Sequence, residues 1–181
     1  MYDRQTEINR YSECYLRAKY AMGRGRKAGA ERILAKLPRG TLLDVGAGRG
    51  ELQSVATELG FDYFGVEPVP YLKQPRIQTG VATALPFADE YFDTVMCLDV
   101  LEHLVPDDVI PALYEMWRVC RRQLFLTASE QSSRSHHDGN ELHISKRPRA
   151  EWETLFANTF ADSLITPLGM IGVSPGWLIT L

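Results

Sequence analysis

Asp99, Glu102 and His103 stand at i, i+3 and i+4 in the segment Asp-Val-Leu-Glu-His. On the first turn of a helix, side chains at this spacing share one face. A histidine there is a candidate general base for a hydroxyl, because its ordinary pKa lies close to neutral pH. Two carboxylates and an imidazole on one turn are also a donor set for a divalent metal. His143, in the polar stretch after the next strand, is the candidate fourth ligand. Glu102 and His103 are thus the catalytic candidates, and Asp99, Glu102, His103 and His143 the metal candidates. His136 and His137 lie in the same polar stretch and read as solvated.

A second stretch, LLDVGAGRGEL at 42–52, must position a ligand beside those groups. An apolar run ends in Asp44, and glycines follow at Gly46, Gly48 and Gly50. A strand, a tight turn and a helix in that order open a nucleotide-binding α/β unit. Glycine admits positive φ in such a turn and leaves no Cβ between backbone and ligand.

Around these stretches the pattern alternates. Strands are expected at 41–45, 62–66, 76–79, 93–98 and 122–128, with helices at 50–59 and 107–119. A helix at 148–158 and strands near 161–166 and 176–181 follow. Alternation of this kind implies a parallel sheet with helices on both faces. The fold class is therefore α/β: a Rossmann-like, seven-stranded, mostly parallel sheet whose last strand runs antiparallel between its neighbours. Residues 3–20 and 27–36 read as helices interrupted by Gly23, Gly25 and Gly29. They form an N-terminal helical cap, residues 1–39, on a core of residues 40–181, and 1–181 is expected to be a single domain. Residues 129–147 are expected as a long polar loop.

Hydrophobic residues make up 45% of the 181 and charged residues 24%, the balance of an ordinary globular chain. No apolar run approaches the ~20 residues of a membrane span. The three cysteines, Cys14, Cys97 and Cys120, are widely spaced without a CxxC pair, which argues for a reduced, cytoplasmic protein and against a structural zinc site. Residues 1–40 hold ten Lys/Arg against four Asp/Glu, a net of +6, while residues 41–181 carry −9. That asymmetry suits an anionic partner for the basic arm, or a solvated helical face packed on an acidic core.

The segment LLDVGAGRGEL resembles the first motif of class I S-adenosylmethionine (SAM) dependent methyltransferases, and FGVEP at 64–68, LPFADEYFDTV at 85–95 and DVLEHL at 99–104 agree with that family in order and spacing. The resemblance implies a SAM site at strand ends. It places Asp44 and Asp99 near the methionine end, Glu67 on the ribose hydroxyls, and Pro68 beside the adenine. Where the family commonly has an Asp, this chain has Val81, so Val81, Ala82, Ala84 and Leu85 would read the adenine through backbone and packing. An Arg of the cap, Arg24 or Arg26, would meet the cofactor carboxylate.

The Asp99–His103 segment is similar to the ExxEH segment of ubiquinone-pathway O-methyltransferases, with Asp99 replacing the first Glu, and a divalent metal such as Mg is implied by that likeness. The activity implied is methyl transfer to a hydroxyl of a small molecule, an anionic one among the candidates. The alternatives are a metal-assisted nucleic-acid methyltransferase acting on a 2′-hydroxyl or a phosphorylated end, and a SAM-binding module without catalysis. Without a metal, His103 alone would be the base, and activity would fall as pH drops through its pKa.

Overall fold

Strand β4 (Phe92–Leu98) is buried along its whole length, and its side chains feed two cores. In the computed structural model, which describes residues 3–16, 22–133, 136, 137 and 139–181, Phe92, Val95 and Cys97 face one side. They meet Val109, Leu113 and Met116 of helix α4 (Pro106–Val119) and Trp152 and Phe156 of α5 (Arg149–Thr159). Met96 and Leu98 face the other side, with Ile33 and Leu34 of α2 (Arg24–Leu34) and Ala56 of α3 (Gln53–Glu58). A continuously apolar strand is what two covered faces require.

The sheet has seven strands in the order β3 (Ile77–Thr79), β2 (Asp62–Glu67), β1 (Thr41–Val45), β4, β5 (Cys120–Thr127), β9 (Ser174–Thr180) and β8 (Leu164–Ile171). From β3 to β5 all neighbours are parallel, and β9 runs antiparallel to both β5 and β8. The seven-stranded, mostly parallel sheet and the reversed last strand are as the sequence predicts. The order in which successive strands are added reverses between β1 and β4, so a crevice opens beyond their carboxyl ends. Helix α1 (Arg4–Leu16) lies over that crevice, and a separate hairpin, β6 (His136–His137) with β7 (Asn140–Glu141), follows β5.

Several boundaries differ from the sequence reading. The first helix ends at Leu16; the predicted continuation through 17–20 lies outside the described residues. The second begins at Arg24 rather than 27, so Gly25 and Gly29 lie inside it. Gly29 is tolerated because α2 packs closely on β8: a Cβ there would stand 3.0 Å from Ile171 Cγ2. Close packing outweighs the ~1 kcal/mol a helical glycine costs relative to alanine. The helix expected at 50–59 shrinks to 53–58, because Gly50 at φ +72° remains part of the turn. The Asp99–His103 segment enters a single 3₁₀ turn, Leu101–His103, instead of an α-helix. The loop 129–147 contains the β6–β7 hairpin. Among the described residues no helix is long and apolar enough to cross a membrane.

Candidate active site

The glycine turn leaves β1 with Gly46, Gly48 and Gly50 at φ +79°, +55° and +72°. At these angles any side chain is strained, and a Cβ on Gly46 would stand 2.4 Å from Val100 Cγ2. The turn is tied to the neighbouring strand: the amides of Gly46 and Ala47 donate to Val66 O at 2.8 and 3.1 Å. Glu67, at the end of β2, accepts from the Gly48 amide at 2.9 Å and the Val69 amide at 3.2 Å. Burial raises its pKa, and these two N–H groups pull the other way.

Asp44 ends up under the turn, not in the crevice. Its carboxylate is buried and accepts from the Tyr63 hydroxyl at 2.9 Å. Removal from water raises it to about 7, against the pull of Tyr63.

A cavity of about 600 Å³ fills the crevice, within the range that encloses small ligands. Gly46, Gly48, Glu67 and Pro68 form one wall, Asp99, Val100 and His103 another, and Glu7, Tyr11 and Tyr15 of α1 the roof. A smaller space of about 70 Å³ adjoins Pro68, lined by Val81, Ala82 and Thr83. Ala84 and Leu85 line neither cavity. The Ala84 amide closes a turn on Val81 O at 3.1 Å, and the Leu85 amide donates to Glu115 at 2.8 Å, so these backbone groups are already engaged. Gly50 also stands apart, its missing Cβ making room for Ile77.

Asp99 adopts φ +55°, unusual for a residue with a Cβ. The Thr127 hydroxyl accepts from its amide at 2.9 Å and donates to Oδ1 at 2.5 Å, while Oδ2 faces the Arg26 guanidinium. Arg26 thus reaches the cavity from α2, whereas Arg24 is exposed and does not line it.

His103 forms part of the cavity wall, with Glu102 fully buried behind it. The His103 Nδ1 lies 3.0 Å from Leu142 O and also meets the Tyr11 hydroxyl. The His143 Nδ1 lies 2.5 Å from Gln131 O. The two imidazoles meet edge to face, with ring centroids 4.5 Å apart. One ligand atom from each of Glu102, His103 and His143 lies within 4.8 Å of the others. Asp99 stands outside this group, turned toward Arg26. Desolvation, ahead of the neighbouring His143, pushes His103 down to about 3. Burial, ahead of Asp99, raises the Glu102 carboxyl.

Sequence reasoning did not find Tyr11, Tyr15, Glu7 or the Arg4–Asp108 pair. Arg4 grips Asp108 with two contacts of 2.6 Å, the Arg49 guanidinium meets Tyr15 O, and the Tyr71 hydroxyl meets Ser12 O. These tie α1 across the crevice. Tyr11 and Tyr15 share the helical period of Ile8, so in sequence they are indistinguishable from packing residues.

Residues 43–126 match the family model described as a methyltransferase domain. An uncharacterised methyltransferase of Mycolicibacterium vanbaalenii is 43% identical over 74 residues, 35% of this chain and 29% of the relative. One from Mycolicibacterium gilvum is 34% identical over 97 residues, covering 48% and 34%. The matched stretches span about a third of these curated relatives. Among solved structures, the PH0226 protein of Pyrococcus horikoshii superposes with a TM-score of 0.70 at 17% identity, covering 87% of this chain and 90% of that one. A 1,6-didemethyltoxoflavin-N1-methyltransferase of Burkholderia thailandensis, with bound 1,6-didemethyltoxoflavin and S-adenosylhomocysteine, gives 0.69 at 16% identity over 99% and 91%. At such identities the structural likeness is one of fold. The model matches somewhat under half of the chain, and over that central region the chain resembles the methyltransferase domain, on a fold shared with SAM-dependent methyltransferases of class I.

Proposed function

We propose that this protein transfers a methyl group from SAM to a hydroxyl of a small molecule, with residues 1–181 acting as one domain. The observation that carries this reading is the position of His103. It stands in the wall of the cavity, one turn from Asp99 and the Arg26 guanidinium, with Nδ1 held at a carbonyl oxygen. The carbonyl only accepts, and the Tyr11 hydroxyl at the same nitrogen can accept as well, so both contacts suit a hydrogen on Nδ1, which leaves Nε2 the lone pair.

The residues fit the cofactor. Arg26 and Asp99 form a plus–minus pair that matches the carboxylate and ammonium of an amino-acid end. Glu67 keeps unused lone pairs for ribose hydroxyls, and Pro68 with the small apolar space at Val81 and Ala82 suits an adenine. When bound, the cofactor supplies a methyl group on a positively charged sulfur, which keeps the bonding electrons as the acceptor oxygen takes the methyl. His103 accepts the hydroxyl proton at Nε2. With its pKa depressed, it does so as the transfer develops rather than beforehand. Helix α1 excludes water and aligns the two reactants, the larger part of catalysis in a displacement of this kind.

Two features favour a small, uncharged or cationic acceptor over a nucleic acid or an anion. Arginines of the basic arm are engaged internally: Arg4 with Asp108, Arg10 with Glu7, Arg26 with Asp99, and Arg39 with carbonyls of Leu34 and Leu37. The cavity wall carries Glu7, Glu51, Glu67, Asp99 and Asp108 against Arg4 and Arg26, an acidic excess that repels phosphate. The open glycine turn and the free imidazole lone pair argue for catalysis over a purely binding role. Calorimetry with SAM, S-adenosylhomocysteine and NAD, followed by a radiolabelled-methyl screen over small alcohols, phenols and amines, tests the reading. NAD binding with SAM silent would remove the cofactor assignment; label appearing only on nitrogen would remove the hydroxyl.

A further inference from the structure

Most of the acidic side chains in the cavity wall are already committed. Asp108 is gripped by Arg4, and Asp99 meets Arg26 and Thr127. Glu51 accepts from the amides of Met22 and Arg49 at 3.3 and 3.1 Å. Glu67 accepts from the Gly48 and Val69 amides and, in the cofactor reading, faces the ribose. Glu7, on helix α1, differs. It is 5% exposed, its Oε1 meets Arg10 at 2.6 Å, and its Oε2 has no hydrogen-bond partner among the described residues. Buried carboxylate oxygens are normally hydrogen-bonded. Glu7 lines the cavity, so a bound molecule with a donor at that point would complete it.

Tyr11 stands one turn further along the same face of α1 and also lines the cavity. Its ring meets the His103 imidazole edge to face, with centroids 4.8 Å apart. Helix α1 therefore sets a carboxylate oxygen, an aromatic ring and the proposed base in a row. Ile8, Leu104 and Val105 add apolar surface to the same cavity. Arg4, which could attract an anion here, spends both of its guanidinium contacts on Asp108.

We propose that Glu7 and Tyr11 recognise a protonated amine, so that the acceptor is a small amino alcohol or phenolic amine. An ammonium has only donors to offer, which suits Glu7 Oε2, and it is attracted to an aromatic face. Its place lies one to two helical turns, ~5–11 Å, from the hydroxyl at His103. The proposal rests on the reading of His103 as the base beside that hydroxyl and adds the chemistry of the acceptor's other end.

The test is calorimetry on the full chain, with and without S-adenosylhomocysteine, using three phenols of similar shape. Tyramine carries an ammonium, 4-ethylphenol is neutral and 4-hydroxyphenylacetate is an anion. Tyramine should bind roughly tenfold or more tightly than either, as one charge-assisted hydrogen bond allows. In Glu7→Gln, with circular dichroism unchanged, that ratio should fall toward one, and Glu7→Asp should keep more of it than Glu7→Gln. Equal or tighter binding of either other phenol, no tyramine binding at millimolar concentration, or an unchanged ratio in a folded Glu7→Gln would each overturn the site. The wild-type ratio alone decides the matter where the variants do not fold. A parallel SAM titration and label transfer separate the two readings. Tyramine preference with SAM silent removes the methyltransferase reading alone, and label transfer without the preference removes the ammonium site alone.

Discussion

The two ends of the cavity are built by different means. At the glycine-turn end, Gly46, Gly48 and Glu67 come from two adjacent parallel strands and are locked by backbone hydrogen bonds. At the His103 end, the groups come from α1, the Asp99–His103 segment, the loop after β5 and α2, held mostly by side-chain contacts. A site made of strand ends inherits the rigidity of the sheet. A site made of a helix, a loop and a 3₁₀ turn depends on how those pieces dock, and differences in acceptor are accommodated where the scaffold is least fixed.

The sharpest way to break this comparison is Gly46→Val. The left-handed backbone and the 2.4 Å approach to Val100 should cost about 1–3 kcal/mol of strain or more and abolish SAM binding; urea unfolding and calorimetry report both. Wild-type behaviour would show that the turn is not rigid.

His103→Ala probes the other end. Transfer should slow by about 10²–10⁴-fold, the usual worth of a general base, with SAM affinity unchanged. A loss of SAM binding instead would mean that the two ends are one coupled unit. Glu67→Ala removes a carboxylate that would bond the ribose hydroxyls, and it also frees the Gly48 amide. At roughly 1.5–3 kcal/mol for a charged hydrogen bond, it should weaken SAM at least tenfold in calorimetry while leaving the His103 end of the cavity intact.

The pH dependence sets the two ends against each other. His103 is depressed to about 3 in the folded state, so between the unfolded value near 6.5 and that value the unfolded chain holds the extra proton. Its contribution to stability is complete above pH ~6.5 and is lost as pH falls. His103→Asn should therefore recover up to about 2 kcal/mol at pH 5 relative to pH 7.5, at ~1.4 kcal/mol per pH unit over some 1.5 units. Asp44, raised to about 7, has the opposite sign: its contribution is full below pH ~4 and declines toward pH 7. Denaturation across pH 5–8 in His103→Asn and Asp44→Asn separates them. Equal slopes in both variants would contradict the assignment. If His103 is the base, as proposed, activity is expected to persist below its ordinary pKa rather than fall through it as the sequence alone suggests.

The smallest effect is expected for Arg4→Ala. Arg4 is half exposed, so its pair with Asp108 contributes no more than ~1 kcal/mol to stability. Its loss should instead loosen α1, raising the acceptor KM and the exchange of α1 amides with little change in melting temperature. Unaltered exchange would show that the tyrosine contacts alone hold the helix.

Local physics made the sheet and the glycine-turn end readable from sequence. The alternation of apolar strands with amphipathic helices, the positive-φ demand of Gly46–Gly48–Gly50 and the strand-end position of Glu67 are all set within a few residues. The same reading placed Asp44 in the crevice, where the fold instead buries it on Tyr63, because which way a strand-end side chain turns depends on the neighbouring strand. Likewise, Asp99, Glu102 and His103 look alike on a helical wheel. The turn they enter is 3₁₀, and Thr127 and Arg26 draw Asp99 away while Leu142 and Gln131 orient His103 and His143. All of these except Gln131, which is 12 residues from His143, lie some thirty to seventy residues off in the chain. Contacts over such separations exist only once the sheet has closed, so the His103 end of the cavity was decided by tertiary packing and not by any local pattern of residues.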